Sequence, residues 1–436
     1  MAPRVWNHCR VCGNEHLRPV ISLGDQPLSG VFVNPNATEP PRSPLELVRC
    51  ASQGEREACG TVQLRHSADL ASMYGTTYGY ASSISPTMVE HLDAKVRSLR
   101  AFVSLTPGDT VLDIGCNDGT LLNAYGAETA LVRVGMDPSS GRFLDCFQPD
   151  IQVGCDFFSA QGFRRLAGDR TCRIVTSIAM FYDLDDPLTF MREVRSILAH
   201  DGVWEVELSY LMLLLEQLTY DQICHEHVTY LGIRQMDWMI RRCGLRLLDV
   251  ALNDVNGGSF SLRVGRDDGP YQPNEAAIGE AMLAEARLQE DGPFDRFRNR
   301  VLGQRDDVRS FFAMARAAGS LVCGYGASTK GNVVLNYCGL GVQDIPMICD
   351  RNPEKHGLLT PGSRIPIVSQ ATVRARKPDY LFVMIWPFRS EVIRDELDFL
   401  RSGGRLVFGL PRLHVVDGTN YERYLSRPFQ DLAYSL

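Results

Sequence analysis

The segment from Thr110 to Gly119 constrains the fold of this chain more than any other. Its first half is apolar and predicts a buried strand, which ends at Gly115 in a turn with a second glycine at Gly119. Glycines in such a turn let the backbone approach a ligand closely. Further strand patterns, separated by helical ones, follow at Leu131–Asp137, Arg173–Ala179 and Gly202–Glu207. This alternation predicts an α/β domain with a parallel, Rossmann-like sheet between helices.

A chain of 436 residues exceeds one ordinary core, and we expect several domains. Residues 1–70 are rich in cysteine, proline and turn residues, and predict a small metal-binding domain. Residues 71–270 hold the alternating pattern, and residues 271–318 predict a charged helical linker. Residues 319–436 return to strand and helix, which predicts a second Rossmann-like domain that binds substrate.

The charge balance limits the partners of this chain. Its net charge is -7, and it has no run of Lys and Arg, which argues against binding to nucleic acid. Small anionic substrates need only a few cations and stay possible. We find neither a bilayer-spanning apolar run nor the layout of a signal peptide. We therefore expect a cytoplasmic monomer or homodimer, without a membrane partner and with reduced cysteines.

The glycine turn predicts a cofactor site. The Gly-x-x-x-Gly spacing suits a nucleoside that carries an amino acid rather than a pyrophosphate, which points to S-adenosylmethionine. Asp137, at the end of the next strand, can accept both ribose hydroxyls, although it could instead cap a turn. Asp156 and Phe157 would lie near the adenine, and the alternative for Asp156 is the N-cap of a helix. The predicted cofactor contacts are Asp113, Gly115, Cys116, Asn117, Asp118, Gly119, Asp137, Pro138, Asp156, Phe157, Ala179 and Met180.

Four cysteines predict a structural zinc site. Cys9 and Cys12 form a Cys-x-x-Cys-Gly motif, and Cys50 and Cys59 supply a more widely spaced second pair. Four thiolates leave no open position for catalysis. The alternatives are a redox pair, spectator thiols, or a site that uses one of two nearby histidines as a ligand.

The densest set of titratable groups lies between Tyr220 and Tyr230, after a predicted strand. Open α/β sheets place their sites at the carboxyl ends of strands. His225 and His227 have the pKa range of a general base, and Glu226 can orient an imidazole. A second metal site and a purely structural role are the alternatives.

Two glycine-containing turns predict substrate contacts. One runs from Asn256 to Ser259, and the other from Gly324 to Asn332 at the start of a helix that carries Lys330. A helix start with a lysine can receive a phosphate, and the alternative is a tight turn without a ligand. The full set of predicted substrate contacts is Tyr80, Ser82, Cys224, Tyr230, Asn256, Gly257, Gly258, Ser259, Tyr325, Ser328, Lys330, Asn332, Asp350 and Trp386.

Taken together, these segments resemble the sugar-nucleotide C-methyltransferases of deoxysugar pathways, which make 3-C-methyl sugars. The likeness spans nearly the whole chain. Besides the cysteine and glycine motifs, it includes Leu23–Leu28, Leu47–Cys50, Ser82–His91, Asp221–His227 and Leu359–Gly362.

The resemblance implies a zinc domain, a central class I methyltransferase domain and a carboxy-terminal Rossmann-like domain. The substrate would be a nucleoside-diphosphate 4-keto-6-deoxy sugar bound between the last two. Its C3 proton is removed by a base, and the enolate takes the methyl group of S-adenosylmethionine. By this resemblance His227 is the base, Glu226 its companion and Tyr78 an aromatic hydroxyl near the sugar.

The chain departs from the family pattern at several positions. Cys224 and His225 replace a tyrosine and an aspartate, and Tyr182 stands where members carry a histidine after the fourth strand. Asn256 replaces another histidine, and the segment at Trp386 also differs. O-methylation of a sugar or polyol hydroxyl, with His227 or His225 as base, therefore stays open. So does a non-catalytic sugar-nucleotide or zinc-scaffold protein.

Overall fold

The computed structural model describes residues 3–52, 58–68, 80–426 and 432. Tyr78, one of the predicted site residues, lies outside the described residues. Among the described residues, no helix is both long and apolar enough to cross a membrane.

The amino-terminal part is built from antiparallel strands. β1 and β5 pair with each other, and β2, β3 and β4 form a sheet with shifted registers between β2 and β3. The apolar face of this sheet packs against helices that come much later in the chain, so it shares a core with them. The strands are β1 Arg4–Val5, β2 Leu17–Pro27, β3 Arg42–Cys50, β4 Val62–Leu64 and β5 His66–Ser67.

The central part is a seven-stranded sheet with helices on both faces. Its strands are β6 Thr110–Ile114, β7 Val132–Met136, β8 Gln152–Gly154, β9 Cys172–Ile178, β10 Leu198–Ser209, β12 Leu245–Asn253 and β13 Ser259–Arg266. The short β11 Thr229–Tyr230 belongs to another sheet. The helices are α1 Pro86–Phe102, α2 Thr120–Asn123, α3 Ala160–Ala167, α4 Pro187–Ile197, α5 Leu211–Glu216 and α6 Ile233–Arg242.

The strand order of the central sheet is β12-β13-β10-β9-β6-β7-β8. All neighbours are parallel except β13, which runs antiparallel to both β10 and β12. The order reverses at β6, because β7 lies on one side of it and β9 on the other. Such a switch point is where open α/β sheets bind ligands.

The carboxy-terminal part begins with α7 Glu275–Ala284 and α8 Gly292–Ala317. A six-stranded sheet follows in the order β16-β15-β14-β17-β18-β19, parallel except for β19. The strands are β14 Val322–Tyr325, β15 Ile348–Cys349, β16 Ile367–Val368, β17 Tyr380–Val383, β18 Arg405–Phe408 and β19 His414–Val416. The helices are α9 Thr329–Cys338, α10 Gln370–Ala375, α11 Arg389–Asp395, α12 Leu397–Arg401 and α13 Tyr421–Ser426.

The sequence patterns predicted β6, β7, β9 and β10 correctly but missed β12 and β13. Phe260, Leu262 and Val264 are fully buried and alternate with polar residues, as expected of an antiparallel strand. This hairpin has no intervening helix, so it does not show in a strand-helix alternation. The helix that follows Gly119, α2, is short and ends at Asn123.

A buried ionic network joins α1 to the middle of the central sheet. Glu205 and Glu207, two residues apart on β10, face α1 and are each nearly inaccessible to water. The Lys95 ammonium lies 3.0 Å from Glu205 Oε1 and 2.8 Å from Glu207 Oε2. His91 Nε2 lies 2.7 Å from Glu207 Oε1. Arg263 of β13 adds its guanidinium 3.3 Å from Glu205 Oε2, so the two buried carboxylates are balanced by one helix and the neighbouring strand.

We expect Lys95→Met to destabilise the protein by roughly 3–5 kcal/mol, because it removes the one cation that contacts both buried carboxylates and leaves them only His91 and Arg263. The control is Arg97→Met on the same helix, where the pair with Asp93 is solvent-exposed and should contribute about 0–1 kcal/mol. Urea unfolding followed by tryptophan fluorescence measures both. Equal stability of the two variants would contradict this account of the network.

Candidate active site

The turn after β6 is built on two glycines whose surroundings leave little or no room for a side chain. Gly115 and Gly119 have φ of 78° and 77°, which residues with a side chain rarely adopt. A Cβ on Gly119 would lie 2.5 Å from the Phe147 ring, and one on Gly115 would lie 3.0 Å from Met180 Cγ. Both positions therefore need glycine for conformation and for space.

Asp137 lies beside this turn and holds two loops together. One carboxylate oxygen accepts the Asn117 N–H at 3.0 Å, and the other accepts the Ser139 N–H and hydroxyl, each at 2.6 Å. Asp137 therefore caps the turn that follows β7, which was the alternative to a role in ribose binding. Pro138 follows directly and is partly exposed.

Asn117 and Asp118 fasten the segment before α1 to the glycine turn. The Asn117 side chain accepts the Ser82 N–H and donates to the Tyr80 carbonyl, each at 3.0 Å. Asp118 accepts the Ser83 N–H at 2.8 Å. The side chains of Asn117 and Asp118 thus bond to protein backbone, and their predicted contact with the cofactor stays a prediction for the backbone of the turn.

Two acidic positions differ strongly in exposure. Asp113 is buried and accepts the Thr176 hydroxyl at 2.6 Å, and burial raises its pKa to about 7, with the negative charge of Asp137 adding to the shift. Asp156 is exposed after β8, and the Phe157 ring is 53% exposed. An exposed phenyl ring beyond the third parallel strand offers a face for a planar base.

Cys116 does not face a ligand. Its side chain is buried in the core below the turn, and its Sγ lies 3.3 Å from Ser140 Oγ. Only its backbone borders the glycine turn. Ala179, with a φ of 56°, donates its N–H to the Glu207 carbonyl and lies with Met180 at the end of β9.

The four predicted zinc ligands converge. The sulfur atoms of Cys9, Cys12, Cys50 and Cys59 all lie within 4.8 Å of one another. Two of the S···S distances are 3.4 and 3.5 Å. A tetrahedral Zn–S4 site with bonds of 2.3 Å has S···S edges of about 3.8 Å, so these thiols fit such an ion after a small adjustment. The Asn14 side chain also donates to the Cys50 sulfur at 3.4 Å.

The His227 ring packs against the Tyr182 ring. The two ring centroids are 4.2 Å apart, at an interplanar angle of 50°. The Val228 N–H donates to the Tyr182 carbonyl at 3.0 Å, which fixes the spacing between the two segments. Burial, together with the smaller effect of the Lys330 charge, lowers the pKa of His227 to about 3. The imidazole is therefore neutral at physiological pH and able to accept a proton.

His225 is not placed to act as a base, which corrects its assignment as a catalytic residue. Its Nε2 is bonded to the Ser43 carbonyl at 3.0 Å, and its Nδ1 accepts the Ser29 N–H at 3.3 Å. The ring is 2% exposed, and burial lowers its pKa to about 4. It is a neutral structural histidine that joins the amino-terminal sheet to the central domain.

Glu226 points toward the amino-terminal domain and is 6% exposed. Burial raises its pKa, while hydrogen bonds from Cys224 and Ser29 oppose that shift. Its Oε2 has no hydrogen-bond partner among the described residues. Tyr230, by contrast, is a core residue whose hydroxyl donates to the Gln222 carbonyl at 3.1 Å, so it does not serve as a substrate contact.

The carboxy-terminal domain completes the site. Trp386 Nε1 donates to Asp221 Oδ2 at 2.8 Å, and the ring covers Gly257, whose Cβ would lie 2.6 Å from it. Burial raises the pKa of Asp221, and the charge of nearby Lys330 opposes that rise. The Asn332 side chain donates to the Ser29 carbonyl at 2.8 Å. The three parts of the chain therefore meet around residues 220–230.

The turn at Asn256 is tight rather than flexible. Asn256, Gly257 and Gly258 have φ of 55°, 89° and 111°, and a Cβ on Gly258 would lie 2.5 Å from Leu213 Cδ1. The buried Ser259 hydroxyl donates a hydrogen bond to the Val255 carbonyl at 3.0 Å. The Ser259 side chain is thus not available to a substrate.

Three predicted contacts of the carboxy-terminal domain differ in what they can offer. Tyr325 is buried on β14, and its hydroxyl oxygen accepts a hydrogen bond from the Gln370 side-chain amide at 3.1 Å. Ser328 caps α9 by accepting the Gly331 N–H at 3.0 Å. Asp350 ends β15, where it accepts the Asn352 N–H at 2.8 Å and lies 3.7 Å from the Lys355 ammonium.

The sequence patterns missed Ser29, Gly30 and Asp221 as members of the site. Ser29 and Gly30 are separated from residue 225 by most of two domains, and small residues carry no chemical signal of their own. The position of Gly30 after the Leu23–Leu28 match was the one available hint.

Comparison with known proteins agrees with this architecture. Sequence models match residues 9–74 as a zinc binding domain, residues 88–250 as a methyltransferase domain and residues 254–411 as a C-methyltransferase C-terminal domain. The C-methyltransferase NovU of Streptomyces niveus is 31% identical over 427 residues, covering 95% of this chain and 97% of that protein.

Solved structures give weaker matches. Magnesium protoporphyrin IX methyltransferase from Synechocystis PCC 6803, with bound S-adenosylmethionine, is 12% identical over 41% of this chain and 79% of its own, with a TM-score of 0.30. The cyclopropane synthase MmaA2 from Mycobacterium tuberculosis is 16% identical over 54% and 85%, with a TM-score of 0.32. Neither likeness is high enough to bear on function.

The fold and the site define a methyltransferase dependent on S-adenosylmethionine, with a class I methyltransferase domain beside a zinc-binding domain. The predicted fold class, enzyme class and cofactors are confirmed. The chain belongs to the C-methyltransferase family.

We expect Cys12→Ser to reduce bound zinc from about one ion per chain to a small fraction and to destabilise the amino-terminal domain, because three thiolates leave the ion incompletely held. Cys146→Ser is the matched control, since Cys146 is exposed and outside the cluster. Mass spectrometry of the metal content decides the point. Equal zinc in both variants would show that Cys12 is not a ligand.

Proposed function

We propose that the protein transfers a methyl group to a carbon next to the ketone of a nucleoside-diphosphate 4-keto-6-deoxy sugar. The observation that carries this proposal is the neutral His227 at a junction that also holds a lysine of the second Rossmann-like domain. We further propose a cytoplasmic monomer or homodimer with domain limits near residues 70, 270 and 318.

The glycine turn and its acidic neighbours fit S-adenosylmethionine. The positive φ of Gly115 and Gly119 shapes the turn at which the cofactor would bind, and Asp137 keeps unused acceptor capacity for ribose hydroxyls. Phe157 would contact the adenine and Asp156 would accept from it. Bound S-adenosylmethionine supplies a methyl group made electrophilic by the sulfonium charge.

His227 would remove the proton from the acceptor carbon. That proton is acidified by the adjacent ketone, and its loss leaves an enolate that is nucleophilic at carbon. A neutral imidazole held in a low-dielectric site takes up a proton only when a negative charge forms nearby, and the enolate is such a charge. The Tyr182 ring fixes the imidazole from one side.

The remaining contacts would select the nucleotide sugar. Lys330, near the start of α9, offers a cation to a diphosphate, and the helix N-terminus adds its own partial charge. Asp221 keeps one carboxylate oxygen without a partner among the described residues, and it faces the same junction. Both groups suit a ligand with phosphates and hydroxyls.

The proposal is tested by incubating the protein with S-adenosylmethionine and a thymidine-diphosphate 4-keto-6-deoxy sugar deuterated at C3. Loss of the label together with a mass gain of one methyl group supports C-methylation at that carbon. Methylation with full retention of the C3 label would place the methyl group at C5 or on a hydroxyl, and a substrate deuterated at C5 separates these two outcomes, because only C-methylation there loses that label. Absence of any product with this and the guanosine and cytidine analogues would reject the sugar-nucleotide class.

We expect His227→Ala to lower kcat by at least ~10²-fold, because a general base contributes that much or more. The affinity for S-adenosylhomocysteine, measured by calorimetry, should stay within about twofold of the native value, since the ring does not contact the glycine turn. His200→Ala, at an exposed position of β10, is the control. Native turnover in the His227 variant would reject the assignment.

We expect Asp137→Ala to weaken cofactor binding by about 1.5–3 kcal/mol, the usual loss for charge-assisted hydrogen bonds. Asp145→Ala, which removes an exposed carboxylate from the next loop, should leave affinity unchanged. Titration calorimetry with S-adenosylhomocysteine compares the two. The same affinity in both variants would move the ribose contact to another residue.

A further inference from the structure

Ser29 and Gly30, just after β2, lie where the three parts of the chain meet. The Ser29 N–H donates to His225 Nδ1 at 3.3 Å, and the Ser29 carbonyl accepts the Asn332 amide at 2.8 Å. One short segment of the zinc-binding domain therefore bonds to both the central and the carboxy-terminal domains.

The backbone conformation at position 30 does not require glycine, because the φ of Gly30 is not positive. Space is the reason for a glycine here. A Cβ at this position would lie 2.1 Å from Glu226 Oε1, and the next nearest atoms, Glu226 Cδ and Thr329 Oγ1, are both at 3.4 Å. The Glu226 carboxylate thus occupies the volume that any side chain at position 30 would need.

The Glu226 carboxylate has little freedom to move elsewhere. The residue is 6% exposed, so its side chain cannot turn into water without opening the junction. Its Oε2 lacks a partner among the described residues, while the Ser29 hydroxyl and the Cys224 thiol contact the carboxylate. A buried, incompletely bonded carboxylate next to His227 in sequence can take a further hydrogen bond from a ligand.

We propose that Gly30 of the zinc-binding domain is a positioning residue for methyl transfer, whose missing side chain sets where the Glu226 carboxylate lies beside the acceptor. The zinc-binding domain thereby shapes the acceptor pocket directly, in addition to supporting the fold. This inference rests on the proposed function for its kinetic readout, but not for its structural one.

The test compares Gly30→Ala, Glu226→Asp and the double variant Gly30→Ala/Glu226→Asp. Gly303→Ala is the control, since a Cβ there meets no heavy atom within 4 Å and the residue lies in the middle of α8. Each protein is assayed for kcat and KM with the 4-keto sugar nucleotide, for S-adenosylhomocysteine affinity and for zinc. Crystal structures of the native protein and the Gly30 variant locate the carboxylate.

We expect Gly30→Ala to lower kcat at least tenfold with KM, cofactor affinity and zinc near native, and to displace the Glu226 carboxylate by more than 1 Å. The double variant should recover at least fivefold over Gly30→Ala, because the shorter aspartate vacates the space that the new methyl group takes. A general packing defect would instead lower the activity of the double variant further.

Native kcat in Gly30→Ala, or an unmoved carboxylate in its crystal structure, would overturn the inference. So would failure of both Gly30 variants to fold, since the shorter carboxylate should relieve the clash. If the native protein does not methylate the keto sugar, the proposed function fails, and the crystallographic comparison alone decides the role of Gly30.

Discussion

The pairing of β11 with β4 is the contact on which the site depends. Thr229 and Tyr230 lie two and three residues after His227, and they complete the sheet of the zinc-binding domain. The segment that carries the reactive side chains is thus held at one end by backbone hydrogen bonds to a different domain. Its other end is held by the bond between Asp221 and Trp386 of the third domain. A segment anchored on both sides loses little entropy when a ligand binds beside it.

Several buried side-chain oxygen atoms at the same junction lack a hydrogen-bond partner among the described residues. Glu226 Oε2, Asp221 Oδ1, Gln222 Oε1 and Asn332 Oδ1 are all buried, and none has a hydrogen-bond partner among the described residues. Each such group costs free energy that folding alone does not recover. Buried polar atoms gathered at one place, facing a domain boundary, are typical of a surface that a polar ligand completes.

The sequence predicted the elements that repeat a physical pattern. Buried strands followed by glycine turns identified β6 and β14, and the Cys-x-x-Cys spacing identified the metal cluster. It did not predict which side chains serve the protein itself. His225 and Tyr230 have the chemistry of site residues, yet each donates a hydrogen bond to a backbone carbonyl that only folding brings close to it. Gly30 is the converse case, because its importance comes from an atom it lacks.

The order of strands in the amino-terminal sheet has a consequence for biosynthesis. The chain emerges from the ribosome with β2, β3 and β4 first, but the strand that closes that sheet belongs to the end of the methyltransferase domain. Until then β4 has an open edge, and the apolar face that α5 and α8 later cover is exposed. Early capture of zinc by the four cysteines would hold this incomplete sheet together while the remainder is translated.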